Sequence, residues 1–317
     1  MKLVAFAAGR RNGNTEIYVK EALMAAEEKG IEVELYRLTE YNLHNCSACS
    51  TAAFCAADTD IEKCLYKDDA PFLAEAFLES DGVIIAAPAY SLSANSLFFA
   101  FRDRVFGPRM DIASPSLGMP SPAFIKGRYK YRPAGLISVG GCLHEHWTGF
   151  SLANLFTAVI PPQSEVVDHL NVYGIAEMNA AAVNEHWLKK ARKLGDNVAD
   201  AMLTGDNRWR GGDRGTCPVC HLNYIEITPG TDDVMCPLCG IYGKISVKDG
   251  VTTLDWPDTP ECRGENRFTV EGKIYHLNDI KKCMEEFAPI REEAKQKAQK
   301  YRNYMSCIIK PPTKAKR

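Results

Sequence analysis

The first two hundred residues alternate between short, wholly apolar runs and longer amphipathic ones. Residues 2–7, 82–87 and 134–139 are apolar almost throughout, the pattern of strands buried on both faces. Residues 31–38 alternate in period two, and residues 164–172 complete a set of five strands. Between the strands, apolar positions recur at helical spacing over 15–29, 69–79, 95–105, 150–159 and 178–203. Val19, Leu23 and Ala26 share one face of the first helix, and Gly30 stops it. Alternating strand and helix predict an α/β fold, a parallel sheet covered on both faces.

After residue 203 the pattern changes. Residues 204–216 hold four glycines and many charges, and read as a linker. Residues 217–275 are short β-like runs around paired cysteines, which predicts a small second domain. Residues 276–317 read as a C-terminal helix over 278–304, with Asn278 as N-cap, and a basic tail.

The length of 317 residues fits this division, at roughly 150 residues per domain. A hydrophobic fraction of 46% excludes wholesale disorder, and a net charge of −2 offers no general attraction to nucleic acid or an acidic membrane. No apolar run approaches the ~20 residues needed to span a bilayer. The opening residues read as a buried strand and not as a signal peptide, so a cytoplasmic protein is expected. Twelve cysteines are then many, and clustered C-x2-C pairs in such a setting favour metal over disulfides.

Open five-stranded sheets of this kind commonly take the flavodoxin-like order 2-1-3-4-5, and bind ligands beyond the carboxyl ends of the strands. Three polar, glycine-containing loops fall at those ends. In the first, Gly9-Arg10-Arg11-Asn12-Gly13-Asn14-Thr15 connects a strand to a helix. Free N–H groups at a helix N-terminus suit an anion, Thr15 adds a hydroxyl, and Arg10 or Arg11 adds charge. An ordinary turn that binds nothing has the same composition, and neither the Walker A nor the G-x-G-x-x-G spacing is present. The second loop is Pro88-Ala89-Tyr90-Ser91-Leu92-Ser93, running on to Asn95. The third follows Ser138 as Gly140-Gly141-Cys142 and reaches Glu145.

On these motifs the chain resembles the NADPH-dependent FMN reductases and their iron–sulfur flavoprotein branch. Arg10, Gly13, Asn14 and Thr15 match that family's S-x-R-x-x-G-N-T opening, with Ala8 in place of serine. Pro88, Tyr90, Ser93, Phe101, Asp103 and Arg104 match its P-x-Y segment and following F-x-D-R helix, with Phe99 in place of a common lysine. Gly140, Gly141 and Glu145 match its glycine pair. The resemblance covers residues 1–203 and implies FMN: phosphate on loop 9–15, ring and ribityl chain along 88–95, and close backbone approach at 140–141. It also implies a dimer or tetramer. Tyr90 reads equally as a core residue, Asp103 with Arg104 as a structural ion pair, and Cys142 as a buried thiol.

The spacing Cys46-x2-Cys49-x5-Cys55-x8-Cys64 allows a [4Fe–4S] cluster, which the resemblance favours, although Cys55 is displaced from the usual run. A [2Fe–2S] centre, zinc or reduced loop thiols are the alternatives. Cys217-x2-Cys220-x15-Cys236-x2-Cys239 is a closed four-thiolate signature, for zinc in a ribbon or for a single rubredoxin-type iron. His44, His144, His146 and His221 read as loop residues. The basic stretch 107–133, with Arg109, Lys126, Arg128, Lys130 and Arg132, reads as a flavin cover or a selector of an anionic substrate, or else as a surface insertion or dimer contact. The sequence therefore predicts an FMN oxidoreductase that takes electrons from NAD(P)H or a ferredoxin-like donor and passes them to an unspecified acceptor. An electron carrier between protein partners and a non-redox scaffold are the other readings.

Overall fold

Leu3 to Phe6, Val83 to Ala87 and Leu136 to Ser138 are without solvent exposure, because apolar side chains on both faces of these strands meet helices. The computed structural model describes residues 1–49, 64–107, 110, 128–212, 215–257 and 266–309. Strands β1 (Lys2–Ala7), β2 (Glu32–Arg37), β3 (Gly82–Tyr90), β5 (Pro133–Val139) and β6 (Glu165–Val172) pair in parallel in the order β2-β1-β3-β5-β6. A two-residue strand, β4 (Ser93–Ala94), folds back on the tip of β3. With β4 set aside, the order is the flavodoxin-like one expected from the sequence.

Successive residues of β1 face opposite layers. Val4 and Phe6 pack with α2 (Ala70–Glu79), α3 (Ser96–Phe101) and α4 (Ser151–Val159). Leu3, Ala5 and Ala7 pack with α1 (Asn14–Glu28) and α5 (Glu185–Thr204). α1 and α5 touch at Gly195, where a Cβ would lie 2.0 Å from the carbonyl oxygen of Ala22. The glycine that a helix interior ordinarily penalises is what lets these two backbones meet.

Several expected boundaries move. α5 starts at Glu185 rather than 178, because the Asn184 side chain caps it by accepting from the Trp187 N–H. The helix after Asn95 is α-helical only to Phe101, then widens over Arg102–Phe106 and stops at Gly107 with φ 24°. Arg104 does not pair with Asp103. Its guanidinium makes a two-pronged bond to Asp68 at 2.7 and 2.8 Å, with the side chains 1% and 0% exposed, while Asp103 takes Arg102. Arg132 is buried as well, donating to the carbonyls of Ser80 and Leu78. Arg128 and Lys130 bridge to Glu75 and Asp81. These three cations brace α2 and its C-terminus. Arg109 and Lys126 lie outside the described residues.

The cysteine-paired region forms an antiparallel sheet, β10-β9-β8-β7, from β7 (Glu226–Ile227), β8 (Asp233–Met235), β9 (Tyr242–Lys248) and β10 (Val251–Asp255). It belongs with the main sheet to one compact unit, 1–274. Segment 205–212 runs along the outer edge of β6, where Arg210 N–H bonds to Val167 O. Residues 275–317 form a second unit. Helix α6 (Val270–Phe287) begins eight residues before the expected Asn278 cap. Thr269 caps it instead, accepting from the Gly272 N–H. A turn at Ala288–Ile290 containing Pro289 separates it from α7 (Arg291–Asn303). Among the described residues no helix is long and apolar enough to cross a membrane.

Two substitutions test this packing by equilibrium unfolding. Gly195→Ala, which raises helix propensity, is expected to destabilise by about 1–3 kcal/mol because the methyl collides with α1. Arg104→Met strands the buried Asp68 carboxylate and is expected to cost about 3–5 kcal/mol, most of it restored by adding Asp68→Leu.

Candidate functional site

The three loops meet through a small set of side-chain bonds. Asn95, 8% exposed, donates its amide to Ala8 O at the tip of β1 and caps α3 by accepting from the Phe98 N–H. Asn14 donates to Ile175 O and Glu177 O and accepts from the Ala181 N–H. Ile175 N–H in turn bonds to Gly140 O. Loop 9–15 is thus tied to 88–95 on one side and to 140–141 on the other. The Asn14 side chain, expected at the phosphate, is committed to this bracing.

Within loop 9–15 the backbone folds tightly. Gly13 N–H bonds to Arg10 O, and Asn12 takes φ 55° with its N–H on the Glu16 carboxylate. Burial pushes the Glu16 carboxyl up, but Arg37, Lys20 and the Asn12 amide outweigh it and hold it at about 2. A carboxylate beneath an anion loop would repel an anion, and here it is neutralised from the other side. Gly13 at the N-cap has no side chain to cap α1. The first-turn N–H groups, including those of Asn14 and Thr15, therefore face the loop as a donor set for an anion. A Cβ on Gly9 would meet Thr15 Cβ at 2.8 Å, so only glycine lets the loop close over the buried Thr15. Arg10 and Arg11 are exposed beside it.

Segment 88–95 is a β-hairpin. Ala89 and Tyr90 pair with Ala94 and Ser93. Ser91 and Leu92 both have positive φ, 47° and 71°, as a type I′ turn requires. A leucine there is strained. The strain is held by Asn154, which accepts from the Ser93 hydroxyl and the Ala94 N–H, and by Phe150 N–H on Leu92 O. Sequence reading missed Asn154, although it is the one amide side chain in the mostly apolar helix 151–159. Tyr90 is 57% exposed and is not a core residue.

Gly140 sits where a Cβ would strike Thr148 Cγ2 at 2.2 Å. Its N–H bonds to Val172 O. Cys142 is exposed, not buried. Glu145 accepts from Asn171. The Ser138 hydroxyl, near the tip of β5, is fully buried with no partner among the described residues. An uncapped helix start, adjacent arginines, a strained exposed hairpin and an orphan hydroxyl fit a phosphorylated, ring-bearing cofactor at the strand ends.

The first cysteine cluster is a loop with a pinned neck. Asp68 accepts from His44 N–H, Asp69 accepts from Asn42 N–H, and His44 stacks on Tyr66 at 4.9 Å. Cys46, Cys49 and Cys64 lie near this neck, but among the described residues they are not gathered within metal-binding distance. Cys55 lies outside the described residues.

The second cluster converges. The thiols of Cys217, Cys220, Cys236 and Cys239 are buried and all lie within 4.8 Å of one another. Each C-x2-C turn closes in the same way, with the N–H after its second cysteine bonding back to the first: His221 to Cys217 O and Gly240 to Cys236 O. Both residues take positive φ, 57° and 82°. The mutual contact holds Cys217 and Cys236 down and pushes Cys220 and Cys239 up. Four such thiols make a closed tetrahedral donor set. Of the histidines, His44 and His144 stay in loops, His146 lies in the short 3-10 turn Glu145–Thr148, and His221 stacks on Trp209 at 4.1 Å. His169, which no local pattern singles out, has its Nε2 buried, and burial lowers it to about 4.

Comparison with known proteins follows this geometry. Over the whole chain it is 24% identical to a flavone synthase of Aspergillus candidus, covering 100% of both. It superposes on a solved flavone reductase with a TM-score of 0.77 at 26% identity, covering 98% of this chain and 100% of that one. An iron–sulfur flavoprotein of Archaeoglobus fulgidus matches 61% of this chain and 76% of its own length at 29% identity. The sequence signature of the family described as NADPH-dependent FMN reductase matches residues 1–170, more than half the chain. The chain therefore belongs to the NADPH-dependent FMN reductase family and is an FMN-dependent oxidoreductase.

Proposed function

We propose that this oxidoreductase takes a hydride from NAD(P)H and delivers it, together with a proton from solvent, to the carbon–carbon double bond of a planar aromatic ketone, the class that includes the flavones. The observation that carries the reading is the extent of similarity. The flavone reductase and flavone synthase match the chain through its ribbon and C-terminal helices, at 98% and 100% coverage. The iron–sulfur flavoprotein matches 61%. Bound FMN supplies the two-electron chemistry, between a reduced nicotinamide and the acceptor bond.

The chain's part is to hold and orient. Backbone N–H groups of 9–15 with Arg10, Arg11 and Thr15 would hold the phosphate, and Asn12 and Asn14 keep that loop in shape. Pro88, Ala89, Tyr90, Ser91, Leu92, Ser93 and Asn95 would line one side of the ring. Ser138, Gly140, Gly141, Cys142 and Glu145 would line the other.

The ribbon would hold one zinc or iron on Cys217, Cys220, Cys236 and Cys239. A [4Fe–4S] cluster on Cys46, Cys49, Cys55 and Cys64 is supported by the iron–sulfur flavoprotein relatives alone. The protein would act in the cytoplasm as a homo-oligomer.

Anaerobic mixing with NADPH is expected to bleach the flavin of the purified protein, and added flavone to restore it. Bleaching without reoxidation by any flavone would refute the substrate class. Asn95→Ala, which unties loop 9–15 from 88–95, is expected to weaken FMN binding about tenfold, with about 1–2 kcal/mol of stability lost. Elemental analysis is expected to find one zinc or iron per chain that Cys236→Ser abolishes. Iron and sulfide of about four each would add the cluster at the first cysteines.

A further inference from the structure

The flavin loops leave unexplained a cavity of about 800 Å³ along β6, the outermost strand of the main sheet. Asp168 to Asn171 form one wall. Trp209 and the residues after Cys220, from His221 to Tyr224, form another. His144 and His146 contribute from the turn that begins at Gly140–Gly141. The cavity is therefore built half by the sheet and half by the ribbon, and it shares a turn with the candidate flavin site.

Aromatic rings line one part of it, beside the charged Glu145, Asp168, Lys190 and Lys193. Trp209 stacks on His221 with ring centroids 4.1 Å apart and 25° between planes, and lies 4.8 Å from His169. Three buried polar atoms on these walls have no hydrogen-bond partner among the described residues: Trp209 Nε1, a donor; Asn171 Oδ1, an acceptor; and His169 Nε2. Buried polar groups ordinarily find partners, so three together around one hollow point to a ligand that supplies them. The volume falls in the range of sites that enclose drug-sized molecules.

We infer that this cavity binds the aromatic acceptor: a planar, oxygen-bearing ring system lies against Trp209 and meets the three unpartnered atoms with its carbonyl and hydroxyl groups. The inference rests on the aromatic-ketone reading above and adds the place. The ribbon then has a second duty beside holding a metal, since the turn that follows its first cysteine pair becomes a substrate wall.

Gly212 lines the cavity, and a Cβ there would meet nothing within 4 Å. Gly212→Trp therefore fills the hollow without a clash at its root. The test is titration of the oxidised holoprotein with the trihydroxyflavone apigenin, followed by calorimetry. Wild type is expected to bind, and Gly212→Trp to bind at least tenfold more weakly, with flavin content and melting temperature unchanged. Trp209→Phe, which keeps a ring and removes the N–H donor, is expected to weaken binding about fivefold. Equal binding by wild type and Gly212→Trp would overturn the cavity assignment alone. No binding by wild type would overturn the flavone reading, and the assignment with it.

Discussion

The carboxamide of Asn95 holds the tips of β1 and β3 at a fixed separation. Its nitrogen reaches Ala8 O, where the sheet ends, and its oxygen starts helix α3. The last bond between these two strands is Ala8 N–H to Ala86 O, and the Ala8 carbonyl beyond it is taken up by Asn95. One buried amide thus replaces what the sheet can no longer supply. Loop 9–15 and hairpin 88–94 take their relative position from it. The hairpin then leans on Asn154 and Phe150, and loop 9–15 leans on Asn14 and Glu16. The candidate cofactor surface is therefore rigid where its framework is polar and buried, and open where Tyr90, Ser91 and Arg10 face solvent. That is the arrangement expected of a site that must hold one face of a flat cofactor and leave the other accessible.

The parts of the fold that the sequence announced share one property: each is fixed by local pattern. Residues 2–7 and 82–87 read as buried strands because nothing else accommodates continuous apolar runs of that length between glycine-containing loops. Cys217, Cys220, Cys236 and Cys239 read as one centre because two C-x2-C turns can serve a common point. What stayed hidden depends on contacts between distant residues. Arg104 looked paired with its neighbour Asp103, and only the fold brings Asp68, 36 positions away, into a buried two-pronged bond. The positive φ of Leu92 had no signal, since leucine does not advertise a type I′ turn. The start of α6 was misread because Thr269 caps a helix whose first turn carries little apolar periodicity.

The buried Asp68–Arg104 pair also gives a reason for the chain's long excursion between β2 and α2. Asp68 and Asp69 accept backbone N–H groups from residues 42–44, so both ends of the first cysteine loop are clamped together. Whatever the loop does chemically, its ends are anchored to the widened turn Arg102–Phe106 and to the start of α2. The buried Asp68 carboxylate is tolerated because each of its oxygens has donors: Arg104 on both, with the N–H groups of His44 and Ala70.

The ribbon repeats this logic on a smaller scale. About thirty residues with few large side chains gain stability chiefly from a closed four-thiol centre. A metal clasp fixes the turns around it within tight limits, since each ligand must reach one point. His221 sits on that clasp in a left-handed conformation, one bond from Cys220, and its ring is stacked on Trp209. Trp209 in turn contacts His169 of the main sheet. The clasp, the linker and the edge strand are therefore joined by a continuous line of three rings. The four-thiol centre and the wall of the β6 cavity are thus built from adjoining residues, Cys220 and His221, which gives the ribbon a reason to be carried on the same chain as the flavin domain.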